Sequence, residues 1–206
     1  MIKVNPQWVP KEPFHVCVSG GIDSIAAAHW LKHHYHKKFT VLHFNHWLGI
    51  INDNMEDSVT KFCDTFNIPI NYSYRSSCEY TDETENGLRQ WRLSVMKDFG
   101  GKFVTGHHLN DCVENYLSNC FKGCPEHKPI KEFSQFEGFS IYHPFLKTTK
   151  QDFIDYVNDN DLMKYVVEDP TNNNTEYMRN WMRNVIIPEI NSRHTLETIV
   201  RKKFYL

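Results

Sequence analysis

The chain has 206 residues, of which 40% are hydrophobic and 23% are charged, and its formal net charge is −2. These values predict one soluble globular domain with a substantial core, and they argue against nucleic-acid binding by bulk charge, so such a partner would need a local basic patch. No apolar run reaches the length of a membrane span and the first residues do not resemble a secretory signal, so we expect a cytoplasmic protein with no membrane contact.

The first 120 residues alternate short apolar runs with helical patterns, which is typical of βαβ units on a parallel sheet. Apolar faces at helical spacing predict four helices between and after the strands, the second of them from about Glu56. The sequence therefore predicts an α/β fold with a parallel, Rossmann-like sheet. The predicted strands cover residues 15–19, 39–45, 68–74 and 102–108.

The pattern changes in the last third of the chain. Residues 124–136 hold two prolines and several charges, and we expect a loop there. A further strand, interrupted by Pro144, is predicted over residues 139–146. We therefore expect a core in residues 1–136, with residues 137–206 adding a strand and helices to the same domain.

Two helices are predicted after this strand. Thr148, followed three residues later by Gln151, matches a capping box that opens the first of them. The second is predicted from about Glu176 and is expected to stop near Pro188, because proline disfavours continuation of a helix.

The segment SGGIDS, residues 19–24, follows the first predicted strand and opens the first predicted helix. It has no lysine and is not a Walker loop, so anion binding would rely on backbone N–H groups, the two serine hydroxyls and the positive end of the helix. Gly20 and Gly21 allow a close approach of the backbone. Asp23 would repel a phosphate unless a divalent cation lay between them. On the residues alone, an ordinary strand-turn-helix cap remains an equal alternative.

Two more polar segments, HFNHW and TGHHLND, follow the second and fourth predicted strands. Ligands of such sheets bind at the carboxyl ends of the strands, so the three polar segments are expected to meet there. His43 and His46 in one segment, and His107 and His108 in the other, could be metal ligands, but core or loop histidines are the simpler interpretation.

The ordered motifs resemble a known family. SGGIDS resembles the pyrophosphate loop of the PP-loop ATP pyrophosphatases, and the later segments resemble the tRNA(Ile)-lysidine synthases within that superfamily. The sequence departs from that family's pattern at Gly49, Asn110, Cys112, Asn115 and His143. The segments that carry the resemblance are HFNHWL, GLRQWRL, GHHLNDCVEN, HPFL, EDPTN and RNWMRNVIIP.

The resemblance implies ATP and Mg²⁺ as cofactors, and as substrates free lysine and an isoleucine tRNA with a CAU anticodon. It also implies that residues 1–136 are the ATP-binding core and that residues 137–206 belong to the same catalytic domain. The wobble cytidine would be adenylated and then joined to lysine, with release of AMP and pyrophosphate. The implied catalytic residues are Asp23, Asp111, Glu114 and Arg89, with Asp23 and Asp111 also on the metal. The implied tRNA contacts are Arg92, Arg179, Asn180 and Arg183. The implied ATP contacts are Ser19, Gly20, Gly21, Ile22, Asp23, Ser24, His43, Asn45, Gly106 and His107.

Purely structural interpretations of the same residues stay open. Glu114 could hold or deprotonate the lysine amine, or simply face solvent. The arginine pairs at helical spacing could contact phosphates or RNA, or line a solvated helix face.

Two other functions also stay open. A tRNA thiolase would need a sulfur carrier, for which Cys78 and Cys112 are candidates in the absence of a C-x-x-C motif. A non-catalytic nucleotide or tRNA binder would explain the departures from the family pattern. A homodimer that pools two basic patches is a hypothesis for how a mildly acidic domain holds RNA.

Overall fold

Six strands form one sheet in the computed structural model, which describes residues 1–11, 13–35, 38–75 and 82–205. The strands are β1 (Phe14–Cys17), β2 (Phe39–Asn45), β3 (Ile70–Tyr74), β4 (Gly101–Val104), β5 (Phe133–Gln135) and β6 (Phe139–Tyr142). Their order across the sheet is β3-β2-β1-β4-β6-β5, and all neighbours are parallel except β5, which is antiparallel to β6. The predicted α/β fold with a parallel sheet is confirmed.

Helices connect and cover the strands. They are α1 (Ile22–His34), α2 (Ile50–Thr65), α3 (Glu85–Phe99), α4 (Leu109–Phe121), α5 (Lys150–Asp159), α6 (Met178–Trp181), α7 (Ile187–Asn191) and α8 (Leu196–Phe204), with a π-helical segment, Met182–Ile186, between α6 and α7. Within the described ranges, no helix has the length and apolarity needed to cross a bilayer.

The core lies on both faces of the sheet because successive strand residues point to opposite sides. Val16 and Val41 face the larger cluster, which packs under α1, α2 and α5, whereas Cys17 and Leu42 face a smaller cluster under α3. A third cluster joins α4, the π-helical segment, α7 and α8. Full burial of a large apolar side chain contributes about 1.5–3 kcal/mol, so these clusters fix the sheet and its helices as one unit.

The direction in which successive strands are added across the sheet reverses between β1 and β4. From β1 it proceeds to β2 and β3 on one side, and it then returns to add β4 and β6 on the other. Such a switch point opens a crevice at the carboxyl ends of the two strands. The β1–α1 and β4–α4 connections therefore lie side by side, and they carry the SGGIDS and GHHLND segments.

Several predicted boundaries were wrong. Helix α2 begins at Ile50 rather than near residue 56, because its first turn, with Ile50 exposed and the polar Asn52 buried, does not continue the apolar stripe. Strand β4 ends at Val104, and the next four residues turn into the connection. The predicted loop over 124–136 contains the edge strand β5, whose three residues are too few to show a period.

The capping box of α5 lies one residue further along than predicted. Thr149 caps the helix through the backbone N–H of Asp152, whose carboxylate accepts from the Thr149 N–H. Thr148 is fully buried, and its hydroxyl bonds the backbone of Lys3 instead. Gln151 donates to Asp155 and takes no part in the cap.

The C-terminal helix does not stop at Pro188. The π-helical segment lets the chain continue, and Pro188 falls in the first turn of α7, where its missing N–H removes no regular helical hydrogen bond. Helix α8 follows, and its buried residues Leu196 and Val200 pack into the third cluster.

Candidate active site

The β1–α1 loop is closed by the hydroxyl of Ser24. This hydroxyl donates to the Gly21 carbonyl oxygen at 2.9 Å and accepts from the Ser19 N–H at 3.1 Å. Gly20 has φ +90°, and a Cβ there would also lie 3.4 Å from the Met55 carbonyl oxygen. Gly21 occupies the N-cap of α1 without a side chain to cap it; the Ser24 N–H donates to the Gly21 carbonyl oxygen, whereas the N–H groups of Ile22 and Asp23 are available to an anion in the described structure.

The β4–α4 connection packs directly on this loop. A Cβ at Gly106 would lie 3.0 Å from the carbonyl oxygen of Asp23, which explains the need for glycine at that position. The next helix begins with a capping box in which His108 Nδ1 accepts from the Asn110 N–H and the Asp111 carboxylate accepts from the His108 N–H. The two loops of the switch point are therefore held in contact.

His108 lies between the two predicted metal carboxylates. Because its Nδ1 accepts a hydrogen bond, its neutral ring carries the proton on Nε2, which lies 3.5 Å from Asp23 Oδ1 and 3.6 Å from Asp111 Oδ2. Burial lowers the pKa of His108, but the charges of Asp111 and Asp23 outweigh it and the pKa is raised. Burial raises the pKa of Asp111, yet His108, His107 and Arg179 bring it down to about 2.

Glu114 is the centre of a second charged group. Only 3% of its side chain is exposed, so the solvent-facing alternative is wrong. Arg183 binds both of its oxygens, with Nε at 2.6 Å and Nη2 at 3.0 Å, and Arg179 Nε donates at 2.6 Å. Arg179 also reaches Asp111 Oδ1 at 3.1 Å and Glu85 at 2.9 Å. Both Glu114 oxygens are therefore occupied by guanidinium groups.

Arg89 and Arg92 lie on α3 and line the same cavity as Asp23 and Asp111. No carboxylate of the described chain forms an ion pair with either of them, in contrast to Arg179. Burial lowers the pKa of Arg92. These two guanidinium groups are thus available to an anion bound in the cavity.

The hydroxyl of Thr105 joins two histidines on the cavity wall. His107 Nδ1 lies 2.7 Å and His143 Nδ1 2.6 Å from Thr105 Oγ1. One hydroxyl carries one proton, so it donates to one ring and accepts from the other, and the neutral rings hold opposite tautomers. Burial lowers the pKa of both histidines, so both are neutral near pH 7.

The cavity has a volume of about 390 Å³ and two kinds of wall. The polar wall comes from the two loops and the arginines. The apolar wall comes from the smaller core cluster under α3, and no motif predicted it, since its residues belong to separate strands and one helix. The apolar residues are Phe44, Leu93, Met96, Phe136 and Ile141. A phosphate chain on the polar wall and a flat ring on the apolar wall would both be accommodated.

Four of the predicted ATP contacts lie outside the cavity lining. His43 is 2% exposed, and its Nδ1 bonds the Val18 carbonyl oxygen at 2.8 Å, so it supports the strand that leads into the loop. Asn45 donates to Glu56 and accepts from the Trp47 N–H. Gly20 and Ile22 alternate with the lining residues of the loop. The remaining predicted ATP contacts, Ser19, Gly21, Asp23, Ser24, Gly106 and His107, all line the cavity.

Of the predicted tRNA contacts, Arg92 and Arg179 line the cavity, whereas Arg183 lies behind it on Glu114. Asn180 donates to the carbonyl oxygens of Thr171 and Asn174 and so fixes the EDPTNN segment.

Lys150 was not predicted at all, although its ammonium group binds both oxygens of Asp23 at 2.7 and 2.9 Å. A separation of 127 residues leaves no local signal for that pair.

Comparison with known proteins identifies the family to which this chain belongs. The chain belongs to the PP-loop domain family, whose model matches residues 2–190. The curated relatives it is similar to are tRNA(Ile)-lysidine synthases, so the predicted resemblance is confirmed. That of Buchnera aphidicola is 29% identical over 201 residues, covering 94% of this chain and 45% of the relative. That of Exiguobacterium sibiricum is 30% identical over 185 residues, covering 87% and 44%.

The chain thus spans about half the length of the curated relatives it matches. Among solved structures, the U34-tRNA thiolase NcsA from Methanococcus maripaludis, described with its [4Fe-4S] cluster, superposes with a TM-score of 0.74. The match covers 98% of this chain and 74% of the thiolase at 15% sequence identity. It shows a shared fold.

Proposed function

We propose that this chain is the catalytic part of an ATP-dependent tRNA-modifying enzyme that makes lysidine. The wobble cytidine of an isoleucine tRNA with a CAU anticodon would be adenylated, and free lysine would then displace AMP. The observation that carries the proposal is the convergence, in one cavity at the switch point, of the glycine loop, two carboxylates and two arginines that have no carboxylate partner among the described residues. The relatives named tRNA(Ile)-lysidine synthase support the same reaction.

In this proposal the triphosphate of ATP binds the β1–α1 loop. The N–H groups of Ile22 and Asp23 and the hydroxyl of Ser19 would bind its oxygens, and Ser24, whose hydroxyl donates to the Gly21 carbonyl oxygen, would hold the loop in shape. Arg89 and Arg92, which lack carboxylate partners in the described chain, would balance the charge that develops at the α-phosphate, or hold the tRNA backbone beside it.

The donor set fits Mg²⁺ bound together with phosphates. Mg²⁺ is commonly held by one or two carboxylates, with phosphates and water supplying the other ligands. Asp23 and Asp111 face the cavity and share His108 as a neighbour. The described residues hold no group of three or more His, Cys, Asp or Glu suited to a metal, so the nucleotide itself would complete the site. Bound there, the ion would stabilise charge on the phosphates.

Glu114 takes a positioning role in this proposal rather than contact with the lysine amine. Its oxygens are bound by Arg179 and Arg183, and Arg179 in turn reaches Asp111. The network fixes the α6 end of the site against α4. Arg179 remains the member of this network that lines the cavity and can contact tRNA.

The thiolase alternative is less well supported by the described cysteines. Burial raises the pKa of both Cys17 and Cys112 to about 12, so neither forms a thiolate at neutral pH. Cys78, the other cysteine considered as a sulfur carrier, lies outside the described residues.

Lysine transfer tests the proposal directly. Purified protein would be incubated with Mg-ATP, radiolabelled lysine and unmodified isoleucine tRNA bearing a CAU anticodon, beside the variant Asp111→Asn. We expect label in the tRNA, lost in the variant. AMP formation without label would point to a different nucleophile, and neither label nor AMP with any tRNA would favour the non-catalytic binder.

A further inference from the structure

The ammonium group of Lys150, the first residue of α5, forms an ion pair with the carboxylate of Asp23 beside the β1–α1 loop. Its Nζ lies 2.7 Å from Asp23 Oδ1 and 2.9 Å from Oδ2, and the two side chains are 39% and 32% exposed. The loop that lacks its own lysine therefore receives one from α5.

The position of Lys150 is fixed by its backbone. Its N–H donates to Asn110 Oδ1 at 2.8 Å, and Asn110 Nδ2 donates to Glu197 at 3.0 Å. The neighbouring Thr148 carbonyl oxygen accepts from the Leu109 N–H. The start of α5 is thus tied to the start of α4, and Lys150 approaches Asp23 from the side of the β4–α4 connection.

The location is electrostatically unusual. Asp23 lies in the first turn of α1, and a cation near the N-terminus of a helix is disfavoured because that end is already positive. One carboxylate offsets this charge only in part. An anionic ligand at the same helix end would offset the rest, whereas Asp23 without its lysine would repel that ligand.

We propose that Lys150 serves as the built-in counter-ion of Asp23 and takes the place of a divalent cation there until Mg²⁺ arrives with the nucleotide. It neutralises Asp23 so that the polyphosphate of ATP can bind the loop without metal. The inference rests on the proposed function insofar as the anion is a nucleotide phosphate.

Binding of ATP in EDTA and in excess Mg²⁺, measured by isothermal titration calorimetry, tests this role. In EDTA we expect Lys150→Gln to weaken binding about tenfold, because an unbalanced carboxylate faces the phosphates. With Mg²⁺ we expect a smaller loss, because the ion then neutralises Asp23. Lys150→Arg should bind like the wild type, and so should the charge-matched control Lys147→Gln, since Lys147 makes no contact with Asp23 in the described structure.

The double variant Asp23→Asn, Lys150→Gln separates charge balance from a structural effect. It should bind ATP in EDTA more tightly than Lys150→Gln alone, since no carboxylate remains to be neutralised. Equal binding by Lys150→Gln and wild type in EDTA overturns the proposal, as does an equal loss in EDTA and in Mg²⁺, or a double variant as weak as the single one. A wild type that binds only with Mg²⁺ also overturns it. A wild type that binds under neither condition instead contradicts the proposed function.

Discussion

Asn110 shows how one departure from the family pattern is built into this structure. Its side chain accepts from the Lys150 N–H through Oδ1 and donates to Glu197 Oε1 through Nδ2. An aspartate, which the resemblance leads one to expect here, has no donor for Glu197. The amide therefore suits the contact with α8, and sequence reasoning alone did not predict it because Glu197 lies 87 residues away.

Asn110→Asp should destabilise the protein, because two carboxylates would then face each other at the 3.0 Å contact with Glu197. We expect a loss of about 1–3 kcal/mol in the free energy of unfolding, measured with urea. Adding Glu197→Gln, which supplies a donor, should recover at least half of the loss. Equal destabilisation with and without Glu197→Gln would show that the pair is not the cause.

The ionised carboxylate of Asp111 stabilises the folded protein, and this contribution depends on pH in the acid range. Its pKa is lowered from 3.8 to about 2 in the folded state, so its stabilising contribution is fully present above pH 3.8 and is lost as the pH falls through about 2. Complete loss amounts to about 2 kcal/mol. In Asp111→Asn this part of the pH dependence should vanish. Urea unfolding of both proteins between pH 5 and pH 2 checks this, and a gap between them that does not narrow with acid would refute it.

At the scale of elements, prediction succeeded where a strand is buried on both faces and its residues are mostly apolar. Strand β2 matches its predicted span of 39–45 for this reason. Prediction failed where a boundary depends on one side chain, as at the start of α5. Thr148 and Thr149 are equally good helix caps by sequence, and the structure distinguishes them by the burial of Thr148. The position of Lys150 follows from that one-residue shift.

Thr149→Ala should lower the free energy of unfolding by about 1 kcal/mol through loss of the α5 cap. Gln151→Ala should leave it unchanged within error, because Gln151 is exposed and its hydrogen bond to Asp155 lies at the surface. Both variants can be compared by urea unfolding. A larger loss from Gln151→Ala than from Thr149→Ala would support the capping box read from the sequence and contradict the structure.

At the scale of the whole molecule, the parallel sheet, its switch point and the meeting of the two loops there were predictable, because the order of polar segments after strands dictates them. The apolar wall of the cavity and the Glu114 network were not, because they join side chains from distant elements. The division at residue 136 and the homodimer stay predictions, although β6 pairs with β4 in the same sheet.

The net charge of −2 leads to a prediction about tRNA binding. Arg89 and Arg92 line the cavity and have no carboxylate partner among the described residues, so we expect them to make the main phosphate contacts. Two contacts to single-stranded RNA give a slope of about −1.4 for log affinity against log salt. Filter binding between 50 and 300 mM salt measures it, and Arg89→Gln with Arg92→Gln should flatten it. A wild-type slope steeper than about −4 would reveal a larger basic surface, as a dimer would provide.

Under the proposed function, ATP binds at the switch point and is cleaved between its α- and β-phosphates in the presence of tRNA. The most direct measurement follows ATP labelled on the α-phosphate, with Mg²⁺ and isoleucine tRNA, and separates AMP from ADP. We predict tRNA-dependent AMP together with pyrophosphate, both lost in Asp111→Asn. Formation of ADP and phosphate, or AMP at an equal rate without tRNA, would contradict the account.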